Sequence, residues 1–203
     1  DPGFLYLSRG HELALTMLRY GLMSAAPITV ITGEVGAGKT TLVRHIMNEM
    51  PEELTVGLVS NMQAGRGELL EWVMMAYGQP YSGKSYVELF QAFQQFVVDR
   101  YAEGRRVVLI CDEAQNLDIA TLEELRLLSN INSDGEPLLQ LILAGQPQLR
   151  DLLGDPRLTQ FVQRVVADFH LEPLGPEEVE PYIERRLKVA GAHWKIFPEE
   201  TCR

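Results

Sequence analysis

Several things are missing from this 203-residue sequence, and each absence removes a class of protein. Cysteine is nearly absent: Cys111 sits inside an apolar run and Cys202 lies beside the end. That is no disulfide framework, and it fits a reducing cytoplasm. No apolar run is long enough to cross a bilayer, so no membrane segment is expected in this chain. The opening residues Asp1-Pro2-Gly3-Phe4 show neither a basic leader nor an apolar core, so no signal peptide is expected. The missing initiator Met points to a trimmed chain. Positive charge is scarce too. With 18 Lys and Arg against 28 Asp and Glu, the formal net charge is −10, which weighs against constitutive nucleic-acid binding because that depends on neutralising phosphates. His45, His170 and His193 lack metal-ligand spacing, so structural roles are expected for them.

What is present is an alternation of short β-branched runs with helical stretches, the pattern of an α/β fold with a mainly parallel sheet. Strands are expected at 28–32, 54–60, 107–111, 139–144 and near 168–171. Val43, Ile46, Met47 and Met50 share one face of a helix after the first strand. Further helices are expected at about 67–76, from Ser85 with a capping box to Glu88, at 121–128, and near 158–166. Trp72, Met74 and Met75 read as core, and Arg105 and Arg106 as a solvated strand entry. The run at 107–111 is apolar throughout, which suggests burial on both faces.

After Leu174 the character changes. Gly175-Pro176-Glu177-Glu178 is a helix start, Val179, Ile183, Leu187 and Ala190 form an apolar stripe, and Gly191 is a stop. Pro181 predicts a bend, and the cluster Arg185, Arg186 and Lys188 a solvated face. One helix cannot bury its own core, so residues 1–174 are expected to form a nucleotide-binding core and 175–203 the start of a further helical unit.

The chemistry is concentrated in two places. Gly33-Glu34-Val35-Gly36-Ala37-Gly38-Lys39-Thr40 satisfies G-x-x-x-x-G-K-[ST] between a strand and an amphipathic helix. Such a loop turns main-chain N–H groups toward phosphate oxygens, and the helix N-terminus adds partial positive charge. Lys39 is expected at the β- and γ-phosphates, Thr40 on Mg²⁺ and Thr41 at the α-phosphate, so the expected ligands are ATP or ADP with Mg²⁺. Second, the strand at 107–111 ends in Asp112-Glu113. The first carboxylate suits the metal shell and the second suits orienting or deprotonating a water. Lys39 and Asp112 lie 73 positions apart, room for a strand and two helices between the two motif-bearing strands.

In combined order, these motifs resemble those of AAA+ ATPases. Within that group the chain is similar to bacterial general secretion pathway ATPases and to secretion ATPases of exosortase and exopolysaccharide loci. The resemblance rests on Phe4-Leu5-Tyr6-Leu7-Ser8 with His11 and Tyr20-Gly21, on the phosphate loop, and on Asp112-Glu113-Ala114-Gln115-Asn116-Leu117. Leu143-Ala144-Gly145-Gln146-Pro147-Gln148-Leu149 and His170-Leu171-Glu172-Pro173-Leu174, leading to Tyr182-Ile183 and Arg186-Leu187, complete it.

The resemblance implies a three-layer phosphate-loop NTPase fold with a five-stranded sheet, residues 175–203 beginning a helical lid. It implies that Gln146 senses the γ-phosphate and that Asn61 restrains the catalytic Glu113. An arginine presented to a neighbouring subunit fits Arg164 best, with Arg157 as competitor. Tyr6, Leu7 and Tyr20 fall where the adenine is packed. The second sensor arginine of a complete lid lies past Arg203.

The implied function is hydrolysis of Mg·ATP that drives conformational change in secretion, envelope assembly or polysaccharide export. The full-length protein would form a homo-oligomeric ring with secretion or envelope-assembly partners, in the cytoplasm or anchored at the inner membrane. An ATP-switched DNA-binding regulator of the transposition type shares the Asp112-Glu113-Ala114-Gln115 pattern, but acidic composition makes nucleic acid the less favoured partner. A nucleotide-bound scaffold without turnover is the third reading.

Overall fold

Strands apolar on both faces need cover on both faces, and the chain supplies it with helices. The computed structural model describes residues 6–60, 68–133 and 135–191. The order begins α1 (Arg9–Met23), β1 (Ile28–Gly33), α2 (Lys39–Glu49), β2 (Leu54–Ser60), α3 (Leu69–Ala76) and α4 (Tyr86–Ala102). It continues through β3 (Arg106–Asp112), a short 3-10 turn at Ala114–Asn116, α5 (Ile119–Leu128), β4 (Asn132–Ser133), β5 (Glu136–Pro137) and β6 (Leu139–Gly145). It closes with α6 (Gln148–Leu153), a second 3-10 turn at Pro156–Leu158, α7 (Thr159–Val162), β7 (Val165–Leu171) and α8 (Pro176–Val189).

The five long strands form one parallel sheet in the order β2-β3-β6-β1-β7, and β4 and β5 pair separately as a small antiparallel ribbon. Side chains alternate between faces with a period of two. Ile28 and Val30, Val107 and Leu109, and Leu141 and Leu143 pack with α3, α4 and α5. Ile31, Val108, Ile110, Ile142 and Ala144 pack with α1 and α2 on the other side. Three layers result. Register sets Thr32 beside Gly145 and Cys111 beside Leu143, so β1, β3 and β6 end side by side. The ends of neighbouring parallel strands are where open α/β sheets bind ligands.

Most expected elements are present within a residue or two. Three expectations need correction. The helix expected near 158–166 stops at Val162, because β-branched Val165 and Val166 already belong to β7, where Val165 pairs with Ile28. Trp72 and Met75 are exposed, not core. The eight-residue α3 turns Leu69, Leu70, Val73 and Met74 inward, and helical spacing sends Trp72 and Met75 to the opposite face. Arg105 is exposed as expected, but Arg106 is half-buried and donates to the Leu22 carbonyl at 2.9 Å, tying β3 to the end of α1.

The helix α1 and the ribbon β4–β5 were not anticipated. α1 buries Ala14, Leu15, Leu18 and Leu22, a spacing the sequence does display. Gly191 takes the positive φ expected of a helix stop, and α8 runs through Pro181, although none of its side chains is fully buried. No helix among the described residues is long and apolar enough to cross a membrane.

The capping box of α4 is as read: Ser85 Oγ accepts from the Glu88 N–H at 3.4 Å, and Glu88 Oε2 accepts from the Ser85 N–H at 2.7 Å. Ser85→Ala should cost about 1 kcal/mol. Urea unfolding would show a lower midpoint with an unchanged slope.

Candidate active site

β1 ends at Gly33 and α2 starts at Lys39, so five residues turn the chain through the loop. Gly36 and Gly38 take φ of 82° and 92°, a region closed to most side chains. Gly38 is also crowded: a Cβ there would lie 2.6 Å from His11 Nε2. The first N–H groups of α2 have no intrahelical carbonyl to meet, which leaves them facing the loop's mouth.

Lys39 is buried, and its Nζ donates to the carbonyls of Gly33 at 2.7 Å and Glu34 at 2.8 Å. Burial lowers its pKa from the ordinary lysine value, while Glu113, Asp112 and Glu34 pull it back up. Thr40 Oγ1 donates to Asp112 Oδ2 at 2.8 Å. Asp112 Oδ1 accepts from the Glu113 N–H at 3.0 Å. A hydroxyl and a buried carboxylate in contact are hard oxygen donors of the kind Mg²⁺ takes, with phosphates and waters completing the shell. Among the described residues no group of three or more His, Cys, Asp or Glu could hold a metal ion.

Glu113 adopts a left-handed backbone, φ 59° and ψ 36°, unusual for a residue with a Cβ. Its carboxylate accepts from Gln115 Nε2 at 2.6 Å and from Gln146 Nε2 at 3.4 Å. Gln115 Oε1 in turn accepts the Gln146 main-chain N–H at 2.9 Å. Val35, Gly36, Lys39, Thr40, Glu113 and Gln146 line one cavity of about 260 Å³. The loop, Glu113 of the acidic pair and Gln146 therefore converge on one space, while Asp112 lies outside its lining and bonds to Thr40.

A second cavity of about 230 Å³ lies across the loop, lined by Tyr6, His11, Gly36, Ala37, Leu174 and Tyr182, among others. Tyr6 meets Tyr182 edge to face at 6.0 Å, joining the segment before α1 to α8. Of the three residues expected at the adenine, Tyr6 lines this cavity, Leu7 packs against the core between the sheet and helices α1 and α2, and Tyr20 is an exposed residue of α1 that does not line the cavity. His11, Leu174 and Tyr182 belong to the stretches that carry the family resemblance, and no spacing in the sequence assigns them a role.

His11 is buried, its Nδ1 is 2.7 Å from Ser8 Oγ, and its ring lies against the Ala37–Gly38 turn. Burial lowers its pKa below the ordinary histidine value, against the opposing pull of the Ala37 backbone and Glu178. A histidine whose folded pKa is depressed resists protonation in the fold. Its contribution is intact above about pH 6.5 and is lost as pH falls from there through the folded value. Stability measured by denaturant between pH 7 and pH 5 should fall more steeply for the wild type than for His11→Gln.

The remaining expectations sort by place. Arg164 turns inward and donates through Nη1 to Ser129 O and Oγ, both at 2.9 Å, at the end of α5. Arg157 is largely exposed and held by Asp155 through two side-chain bonds at 2.9 and 2.7 Å. That pairing holds the Asp155 carboxyl at about 2. His170 Nδ1 sits 3.0 Å from Thr32 Oγ1, and His45 pairs with Glu49, structural contacts as expected. Asn61 and His193 lie outside the described residues.

The family model described as "AAA domain" matches residues 22–153, from the end of α1 through α6. The chain is 38% identical over 204 aligned positions to general secretion pathway protein A of Aeromonas hydrophila, covering all of this chain and 37% of that protein's length. Among solved structures it is similar to CDC6P of Pyrobaculum aerophilum, with a TM-score of 0.72 at 17% identity, over 93% of this chain and 53% of that one. It is also similar to the Aeropyrum pernix ORC2 protein in its ADPNP-ADP complexes, with a TM-score of 0.66 at 20% identity, over 91% and 52% of the two chains. These two likenesses extend to the fold. With its glycine loop, acidic strand end and five-stranded parallel sheet, the chain belongs to the AAA domain family.

Proposed function

We propose that this chain binds Mg·ATP in the cleft at the ends of β1, β3 and β6 and hydrolyses it. The observation that carries this reading is the convergence of Lys39, Thr40, Glu113 and Gln146 on one cavity, with Asp112 bonded to Thr40 behind it. The loop's N–H groups and the start of α2 grip phosphate oxygens, and Lys39 exchanges its loop carbonyls for the β- and γ-phosphates. Gly33, Glu34, Val35, Gly36, Ala37, Gly38 and Thr41 supply the cradle. Thr40 and Asp112 hold Mg²⁺, which supplies charge neutralisation at the phosphates.

Glu113 takes a proton from a water as that oxygen bonds to the γ-phosphorus. The bond from phosphorus to the bridging oxygen breaks, and its electron pair leaves with ADP. Gln146 contacts the γ-phosphate from the end of β6. An arginine from a neighbouring subunit completes the charge, and the outward guanidinium of Arg157 favours it over Arg164, whose own sits on Ser129. Asn61 acts as the restraint on Glu113. Residues 175–203 open the lid, with Tyr182 of α8 closing on the adenine side.

The name of the Aeromonas relative supports work in general secretion, and the family resemblance of the motifs extends the reading to movement within a secretion, envelope-assembly or polysaccharide-export apparatus, by a ring of copies on the cytoplasmic side. The net charge of −10 supports this over a DNA-binding regulator. Release of inorganic phosphate from ATP in magnesium, lost on chelation, tests the reading. No release from a full-length protein that still binds Mg·ADP would support the scaffold reading instead.

A further inference from the structure

The acidic strand end continues into a 3-10 turn, Ala114–Asn116, and the side chain of its middle residue is turned back across the site. Gln115 makes two bonds with opposite polarity. Its Oε1 accepts the main-chain N–H of Gln146 at 2.9 Å, and its Nε2 donates to Glu113 Oε2 at 2.6 Å. The orientation of the amide is fixed by the first bond. A main-chain N–H can only donate, so the oxygen must face Gln146 and the NH₂ must face the carboxylate. The Gln146 side-chain amide reaches the same carboxylate oxygen at 3.4 Å.

The neighbourhood is shaped around this link. Gly145 ends β6 directly beneath it, and a Cβ there would lie 3.0 Å from Gln115 Oε1 and 3.2 Å from its main-chain nitrogen. Any larger residue at the end of β6 would press on the amide. Ala114 is fully buried and anchors the turn in the core, while Glu113 before it takes the left-handed conformation that swings its side chain toward the cleft. A carboxylate on a strained, half-buried backbone has freedom to swing unless something holds it, and Gln115 is the shortest contact it makes.

We propose that Gln115 is a positioning residue that ties the Glu113 carboxylate to the end of β6, so that the water-activating group and the γ-phosphate-contacting Gln146 keep one geometry. The inference rests on the hydrolysis reading above and assigns the regulation of that same site. Gln115 occupies one carboxylate oxygen and leaves the other to the cleft. Displacement of the Gln146 backbone by a bound γ-phosphate is transmitted to Glu113 through one side chain, without a change in the phosphate loop. Its loss should therefore damage turnover and spare binding.

The test is steady-state phosphate release by the full chain, with Mg·ADP affinity measured by calorimetry. Gln115→Met keeps length and bulk but makes neither bond. Gln115→Glu keeps an acceptor for the Gln146 N–H but sets a carboxylate against Glu113. Both should lower kcat about tenfold to hundredfold, the range for misplacing a reacting group, with KM and Mg·ADP affinity within about twofold of wild type. In the Gln146→Met background, which keeps the main-chain N–H that Gln115 accepts, Gln115→Met should still lower kcat.

Wild-type kcat in Gln115→Met or full activity in Gln115→Glu would overturn the proposal, as would a Gln146→Met background in which Gln115→Met costs nothing. So would a loss of nucleotide affinity matching the loss of rate. Glu113→Gln separates the two levels. If the wild type releases no phosphate, the hydrolysis reading falls and takes this inference with it; if Glu113→Gln turns over at the wild-type rate, hydrolysis stands but Glu113 is not its base, and this inference alone falls. If Glu113→Gln is inactive while Gln115→Met is unimpaired, only the positioning role is lost.

Discussion

Glu113→Gln is expected to lower phosphate release by about 10²–10⁴, the span attributed to a positioned general base. The substitution keeps the side chain's size and its place at the cleft but removes the group that accepts the proton. Affinity for Mg·ATP should stay within a few-fold, because the phosphate grip belongs to the loop and Lys39, on a different strand end. One local cost is foreseeable. The amide of Gln115 donates to Glu113 at 2.6 Å, and a glutamine at 113 can still accept that bond through its carbonyl oxygen. The variant should therefore fold and trap ATP. Single-turnover measurement of bound ATP against ADP reads this directly; unimpaired conversion would remove Glu113 from the chemistry.

The second large effect is expected at Lys39. Lys39→Met keeps a long apolar stem in a buried position and deletes the charge. A charge-assisted hydrogen bond to a phosphate contributes about 1.5–3 kcal/mol, so nucleotide affinity should weaken about tenfold to hundredfold. The loss should be larger for ATP than for ADP if Nζ reaches the γ-phosphate. The fold should lose some stability as well, read separately by urea unfolding. Nζ donates to the Gly33 carbonyl in a buried bond and to the Glu34 carbonyl in a part-buried one, and methionine supplies no donor to either. Equal affinity in Lys39→Met and wild type would mean that the amine keeps its two carbonyls and never turns to phosphate.

The legible part of this protein was the part written in local chemistry. Gly36 and Gly38 are needed where φ is positive, and Lys39 and Thr40 must follow at the helix start, so the loop declares itself in eight residues. The three central strands were legible because β1, β3 and β6 are buried on both faces and leave mainly apolar runs. What was not legible depended on contacts far along the chain. Val165 and Val166 continue a helical stretch in sequence, yet pairing with β1 turns them into strand. Trp72 and Met75 are as apolar as Met74, and only the orientation of the short α3 decides which of them is covered.

The same distinction runs through the site. Asp112 and Glu113 could be placed from a strand end. Gln115, two residues further on, could not, because its meaning comes from Gln146, 31 positions away, and from the missing Cβ of Gly145. His11 and Tyr182 are still further apart in sequence and line one cavity beside the loop, a juxtaposition no local pattern declares. Arg164 stands just before the last strand, where the resemblance expects an arginine for a neighbouring subunit, and its guanidinium donates to Ser129, a contact 35 positions away that no local pattern declares.

The central claim is that triphosphate is held by main-chain N–H groups between Gly33 and Thr40. Calorimetric titration of the full-length protein with Mg·ATP and Mg·ADP tests it most directly. One nucleotide per chain should bind, with the affinity lost in Lys39→Met and kept in Glu113→Gln. Folded protein that takes up neither nucleotide, or a Lys39→Met variant that binds as wild type does, would contradict it.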